Sequence, residues 1–223
     1  MRLEVVPDAE AAAARGALLI AQAARDAVAG RGSFTLAVSG GRGPWRMFEL
    51  LGAEDVAWGQ VDIFQVDERV APDGDDARNL THLTDSLPAP ARPRLHPMAV
   101  TARDLDAAAA GYGAELPPAL DLVHLGLGPD GHTASLVPGD PVLDVGDRRV
   151  ALTAAPYQGS RRMTLTYPEL ARARQILWLV TGAEKRDPLR RLLAHDPGIP
   201  AGRVDAPDAV VVADEAAASR APA

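Results

Sequence analysis

Short apolar runs rich in β-branched residues alternate along this chain with longer stretches whose apolar positions recur at spacings of three and four. Phe34–Val38, Val61–Val66, Leu122–Leu125, Val150–Thr153, Met163–Thr166, Ile176–Val180 and Val210–Ala213 are bounded by Gly, Pro or Asp and predict strands. They are apolar at successive rather than alternate positions, as strands of a parallel sheet covered on both faces are. Ala9–Ala29, Pro44–Leu51, Ala102–Leu116 and Glu184–Ala194 carry the helical spacing. The alternation predicts βαβ units in an α/β fold of three layers, a mostly parallel sheet flanked by helices. Right-handed crossovers then bring the strand C-termini to one edge, where ligands of open α/β sheets bind. No linker composition divides the chain, and Pro88, Pro90 and Pro93 mark only a loop, so residues 1–223 are expected to form one domain.

The strand ends carry the candidate chemistry. Leu122–Leu125 empties into Gly126, Gly128 and Gly131 and delivers Asp130 and His132 to a tight turn. Histidine exchanges a proton near neutral pH without being perturbed, and glycines let a substrate approach the backbone. A plain helix cap is the competing role, although Thr133 and Ser135 would serve there as well. The same glycines spell the G-x-G-x-x-G of dinucleotide sites, but Asp130 would repel a pyrophosphate and Val150–Ala154 ends without an acid for a ribose, so NAD is not expected.

Phe34–Val38 ends in Ser39-Gly40-Gly41-Arg42-Gly43-Pro44, where exposed amides and a following helix suit a bound anion, with Arg42 adding charge and Pro44 starting the helix. Val61–Val66 runs into Asp67-Glu68-Arg69, which reads either as a functional cluster or as an ion pair holding the turn. Ile176–Val180 leads to Thr181-Gly182-Ala183-Glu184-Lys185, placing Lys185 in a first helical turn, unfavourable unless an anion binds there.

Charge and composition narrow the partner. A net charge of −7 argues against nucleic acid and leaves room for a local basic pocket around a small anion. The absence of cysteine removes disulfides, thiol catalysis and thiolate metal sites and fits a reducing cytoplasm. No apolar run reaches the length of about 18 residues that a membrane span needs, and Asp8, Glu10 and Arg15 break up any leader, so neither membrane nor secretion is expected. His82, His96, His124 and His195 lack neighbours at metal-ligand spacing, and no metal is expected. Trp45, Trp58 and Trp178 are too scattered to stack bases. Lys185 is the only lysine among many arginines, either by chance or because a compact ammonium is wanted there.

Four motifs in order, SGGRGP at Ser39–Pro44, VDERVAP at Val66–Pro72, GLGPDGHTASLVPG at Gly126–Gly139, and RMTLTYP at Arg162–Pro168 followed by TGAEK, give the chain a resemblance to the 6-phosphogluconolactonases. These belong to the fold group that includes glucosamine-6-phosphate deaminase. The resemblance implies a modified Rossmann fold and hydrolysis of 6-phospho-D-glucono-1,5-lactone in the cytoplasm, with neither cofactor nor metal, by a protein expected to be a monomer.

On that resemblance His132 is the general base on water, oriented by Asp130 or Asp67, and the oxyanion is met by amides near Gly128 or by Arg69. Gly40, Gly41, Arg42, Arg162 and Lys185 hold the phosphate. Two departures stand out: Arg42-Gly43 replaces the family's Ser-Thr, and Arg78-Asn79 stands where Ser-Asn is common. The alternatives are an amino-sugar phosphate deaminase, whose Asn-Glu-Pro after the histidine is here Leu136-Val137-Pro138, and a sugar-phosphate sensor without chemistry.

Overall fold

Asp8, in extended backbone, accepts a hydrogen bond from Ala11 N at 2.8 Å and starts α1 (Ala9–Arg31), which Gly32 ends at φ 79°. The helix buries a stripe of small residues, among them Ala13, Ala17, Ala24 and Ala27, so it lies close on the sheet. The structure is a computed structural model that describes residues 1–87 and 91–219, apart from the side chain of Arg42. Pro88 and Pro90 of the expected loop, and the side chain of Arg42, lie outside the described residues.

The strands are β1 (Arg2–Val6), β2 (Phe34–Val38), β3 (Val61–Gln65), β4 (Asp67–Arg69), β5 (Arg94–His96), β6 (Leu122–Gly126), β7 (Val150–Leu152), β8 (Arg162–Leu165), β9 (Ile176–Val180) and β10 (Ala209–Asp214). The remaining helices are α2 (Arg42–Gly52), α3 (Asn79–Ser86), α4 (Leu105–Glu115), α5 (Tyr167–Leu170), α6 (Arg186–Leu193) and α7 (Glu215–Ala218). Seven strands form a parallel sheet in the order β1-β10-β9-β6-β2-β3-β5. Alternate side chains of these strands feed two apolar layers. Leu36, Ile63, Leu177 and Val212 pack under α1 and α2, while Val123, Trp178, Val180 and Val211 face α4, α6 and the second sheet. The three layers predicted from the sequence are therefore present.

From β2 the chain moves outward through β3 to β5, then returns to the other side of β2 as β6 and continues through β9 to β10. Strand order reverses between β2 and β6, which opens the crevice that binds ligands in such sheets. The loops after these two strands begin at Ser39 and Leu127.

Two expected members of the parallel sheet lie elsewhere. β7 and β8 pair antiparallel with each other, and β8 with β4, in a separate three-stranded sheet. The segment between β7 and β8 is too short for the crossover a parallel pair requires, and it turns back at Gln158 and Gly159, with φ of 50° and 90°. Pro44 is the third residue of α2 rather than the first, because Gly41 is the N-cap. The helix expected from Glu184 begins as a 3-10 turn over Ala183–Lys185, which makes Lys185 the N-cap of α6.

Candidate functional site

A cleft of about 480 Å³ opens at the β2/β6 reversal, and it is lined by Gly40, Gly41, Asp67, Arg69, His132, Arg162 and Lys185. Seven of the nine residues singled out from the sequence thus line one cleft. Asp130 stands just behind His132, and Arg42 lies in the first turn of α2, its side chain outside the described residues.

β6 does not lead into a helix. Its glycines form a turn in which Gly128 N donates to His132 O at 2.8 Å and Gly131 N donates to Gly128 O at 3.0 Å. Without a helix there is no dipole to hold a pyrophosphate, and the dinucleotide motif loses its structural context. The turn folds the imidazole back over the backbone of residue 128: a Cβ on Gly128 would stand 2.0 Å from His132 Nδ1 and 2.7 Å from Asp130 Oδ1. Only glycine leaves room there.

His132 Nδ1 and Asp130 Oδ1 lie 2.5 Å apart. A carboxylate can only accept, so the proton sits on Nδ1 and Nε2 is the ring nitrogen left to exchange protons. Burial pushes the Asp130 carboxyl up, but hydrogen bonds from His132 and Tyr157 and the histidine's charge outweigh it and hold the group below the usual carboxylate range. Of the two candidate carboxylates, Asp130 is the one hydrogen-bonded to His132, and the hydrogen bonds of Asp67 lead elsewhere. Ser135 Oγ donates to Asp67 Oδ2 at 2.6 Å, and Asn79 Nδ2 donates to Asp67 O at 3.0 Å.

The second sheet explains how the charges after β3 are sorted. In β4, Asp67 and Arg69 point to one face and Glu68 to the other, as strand alternation dictates. Arg69 is paired across the strands with Arg162, so two guanidinium groups reach the same cleft. Asp67 Oδ2 lies 4.0 Å from Arg162 Nη1. Burial raises the Asp67 pKa, against the pull of Ser135, Arg162 and Arg69, and burial lowers that of Arg162.

Glu68 is fully buried on the far side. Its oxygens accept from Asn79 N at 2.8 Å and Leu80 N at 2.9 Å, capping α3 in place of a local side chain. Arg78 Nε lies 3.0 Å from Glu68 Oε2 as an ion pair without hydrogen-bond geometry, and Arg78 Nη1 donates to Asp73 Oδ1 at 2.9 Å. The unusual Arg78 therefore serves a buried carboxylate and does not line the cleft. The Asp67-Glu68-Arg69 cluster is thus split: Asp67 and Arg69 line the cleft, and the buried ion pair at this turn joins Glu68 to Arg78 rather than Asp67 to Arg69.

At the opposite wall, the Gly40–Gly41 turn opens α2, and the side chain of Asn79 lies across it. A Cβ on Gly40 would stand 2.1 Å from Asn79 Oδ1. Asn79 Oδ1 also accepts from Arg69 Nη1 at 2.8 Å. Ser39 Oγ and Arg162 Nε are buried, line this cleft and have no hydrogen-bond partner. Unpaired buried polar atoms on a cleft wall call for a polar ligand. Lys185 Nζ, 3.9 Å from Glu184 Oε1, adds a third positive side chain.

Tyr157, whose hydroxyl reaches both Asp130 and His132, escapes sequence reasoning because it sits in a turn without periodicity or motif. Arg161 is exposed and Arg162 buried, as expected of neighbours across a strand. His124 is buried beside Phe48, and burial pushes its pKa down to about 3, so it is a neutral core residue. Trp178 is likewise core. Among the described residues no group of histidines and carboxylates is placed to hold a metal ion, and no helix is long and apolar enough to cross a membrane.

Comparison with known proteins gives the arrangement its relatives. Residues 7–213 match the family model for glucosamine-6-phosphate isomerases/6-phosphogluconolactonase. A 6-phosphogluconolactonase of Synechocystis is 37% identical over 184 residues, covering 76% of this chain and 75% of its own. One from Mycobacterium tuberculosis is 33% identical over 243 aligned positions, covering 99% and 98%. Among solved structures, a 6-phosphogluconolactonase from Shewanella baltica superposes with a TM-score of 0.86 at 25% identity over 96% of this chain and 97% of its own. A monomeric glucosamine-6-phosphate deaminase superposes with a TM-score of 0.85 at 19% identity over 98% and 99%, a likeness of fold alone. By the extent of these matches, and by the motifs that build its cleft, this chain belongs to the glucosamine-6-phosphate isomerase/6-phosphogluconolactonase family.

Proposed function

We propose that this protein hydrolyses 6-phospho-D-glucono-1,5-lactone to 6-phosphogluconate in the oxidative pentose phosphate pathway, with His132 as general base. The observation that carries the mechanism is the imidazole at the cleft wall, its Nδ1 held by Asp130 and its Nε2 left for water. The sequence relatives support the reaction.

The substrate phosphate lies against the Gly40–Gly41 turn, with Lys185 and Arg162 supplying charge. Arg42, the first residue of α2, remains a phosphate-binding candidate on its sequence position alone. Nε2 takes a proton from water as the oxygen attacks the lactone carbonyl. The protonated ring, stabilised by Asp130, then returns the proton to the ring oxygen as the C1–O5 bond breaks. Proton transfer of this kind contributes about 10²- to 10⁴-fold.

Of the two oxyanion donors considered, the amides of Gly128 and Gly131 are already bonded to carbonyls and residue 129 is a proline. Arg69 faces the cleft and spends only Nη1, on Ala77 O and Asn79 Oδ1, so its other donors are available. We assign the oxyanion to Arg69. Asp67 acts on Arg162 rather than on the histidine. We propose that the enzyme works as a monomer on a diffusible cytoplasmic substrate, as the resemblance implies.

The test is lactone disappearance against buffer alone, because the lactone also opens spontaneously. His132→Ala is expected to lose kcat by about 10²-fold or more, and Lys185→Ala to raise KM with kcat nearly kept, since phosphate contacts persist from ground to transition state. A His132→Ala protein as fast as wild type would remove the general base from this mechanism.

A further inference from the structure

Tyr157 lies at the tip of the β7–β8 connection, in a turn closed on itself by Tyr157 N donating to Ser160 O at 2.9 Å. Its side chain belongs to neither apolar core. The aromatic ring is instead placed edge-on to the His132 imidazole, with centroids 5.3 Å apart. The hydroxyl donates to Asp130 Oδ2 at 3.0 Å and lies 3.3 Å from His132 Nδ1. From the other side, Arg162 donates to Tyr157 O at 3.1 Å and holds its guanidinium carbon 5.4 Å from the ring centroid.

These contacts divide the Asp130 carboxylate between two donors, His132 on Oδ1 and Tyr157 on Oδ2. A carboxylate held at one oxygen can rotate about its Cβ–Cγ bond, and with it the imidazole it orients. Held at both oxygens it cannot. Asp130 is more than a third exposed, so packing alone does not fix it. Burial, with the neighbouring Asp130 carboxylate, raises the Tyr157 pKa and keeps the hydroxyl a donor across the neutral range.

We infer that Tyr157 is a positioning residue of the hydrolytic reaction: its hydroxyl locks the Asp130–His132 pair with Nε2 facing the substrate, while its ring and carbonyl carry Arg162. The inference rests on His132 being the base. It adds a coupling that the base alone does not supply, since one residue touches both the proton-transferring pair and a cation of the anion-binding wall. Nothing in the geometry has Tyr157 exchanging a proton with substrate.

Tyr157→Phe removes the hydroxyl and keeps the ring, so the contacts with His132 and Arg162 survive and the chain folds. Steady-state hydrolysis of 6-phospho-D-glucono-1,5-lactone is measured for wild type, Tyr157→Phe, His132→Ala and the double variant. We expect Tyr157→Phe to lower kcat by about tenfold, the size of one hydrogen bond to a charged group, with KM within about twofold, and to cost nothing further when His132 is already alanine. Wild-type kcat in Tyr157→Phe would overturn the inference, as would a rise in KM alone or an equal loss in the His132→Ala background. Failure of the base itself reads differently, as full activity in His132→Ala. An inactive His132→Ala beside a fully active Tyr157→Phe overturns the role of the tyrosine only.

Discussion

Replacing Gly128 by alanine tests whether the placement of the imidazole, and not merely its presence, sets the rate. The added methyl would stand 2.0 Å from His132 Nδ1 and 2.2 Å from Cε1. An ordinary contact needs about 3.4 Å, so the ring must withdraw by roughly 1.4 Å. Gly128 does not have a left-handed φ, so alanine is compatible with the backbone, and the groups that must give way, His132 and Asp130, are side chains rather than backbone. The fold should therefore hold, with Tm within a few degrees of wild type. A displacement near 1 Å at a reacting group costs about 10²-fold, and the phosphate wall is untouched. We expect kcat to fall by about that factor with KM nearly unchanged. The assay is 6-phosphogluconate formation corrected for spontaneous opening, with a thermal melt on the same preparation. Full kcat in Gly128→Ala would refute the reasoning, and so would a loss of rate that only follows a collapsed Tm.

Two further substitutions separate stability from function. Asp67 has a raised pKa, so its ionised form is disfavoured by folding: the cost is present above its folded pKa and disappears as pH falls into the carboxylate range. Asp67→Asn should accordingly be more stable than wild type at pH 7, a gain of ~1 kcal/mol giving about 2–4 °C in Tm, with the difference fading on acidification and activity reduced as Arg162 loses its partner; a lower Tm at pH 7 contradicts the sign. Glu68→Ala uncaps α3 and strands the buried Arg78, which should cost about 3–5 kcal/mol in urea unfolding while kcat per folded molecule is retained; a small loss would mean that α3 is held by other contacts.

What the sequence made legible follows from where the information lies. β2 and β9 are apolar on both faces, and their boundaries were readable to the residue. β4 was not, because Asp67, Glu68 and Arg69 look like a loop, and only pairing with β8 makes them a strand. α3 has no cap of its own, and its start depends on Glu68, eleven positions earlier. β7 and β8 have the composition of buried parallel strands, and the tight turn between them decided otherwise. In the site, the residues carried by glycine motifs were visible. The partner of His132 stayed open between Asp130 and Asp67, because strand alternation and the turn geometry choose between them. Tyr157 had no local signal at all.

The pairing of β1 with β10 sets Arg2 opposite Val210 and Val6 opposite Asp214, at one margin of the sheet. That contact spans almost the whole chain, and loop closure of this length slows folding more than it weakens the product. On a ribosome β1 emerges well before β10 and lacks its partner strand until β10 follows. Meanwhile its Leu3 and Val5, which remain 39% and 50% exposed even when folded, are offered to any other strand edge nearby. The charges of Arg2 and Glu4 between them guard that interval, so the margin farthest from the chemistry is where synthesis and aggregation compete.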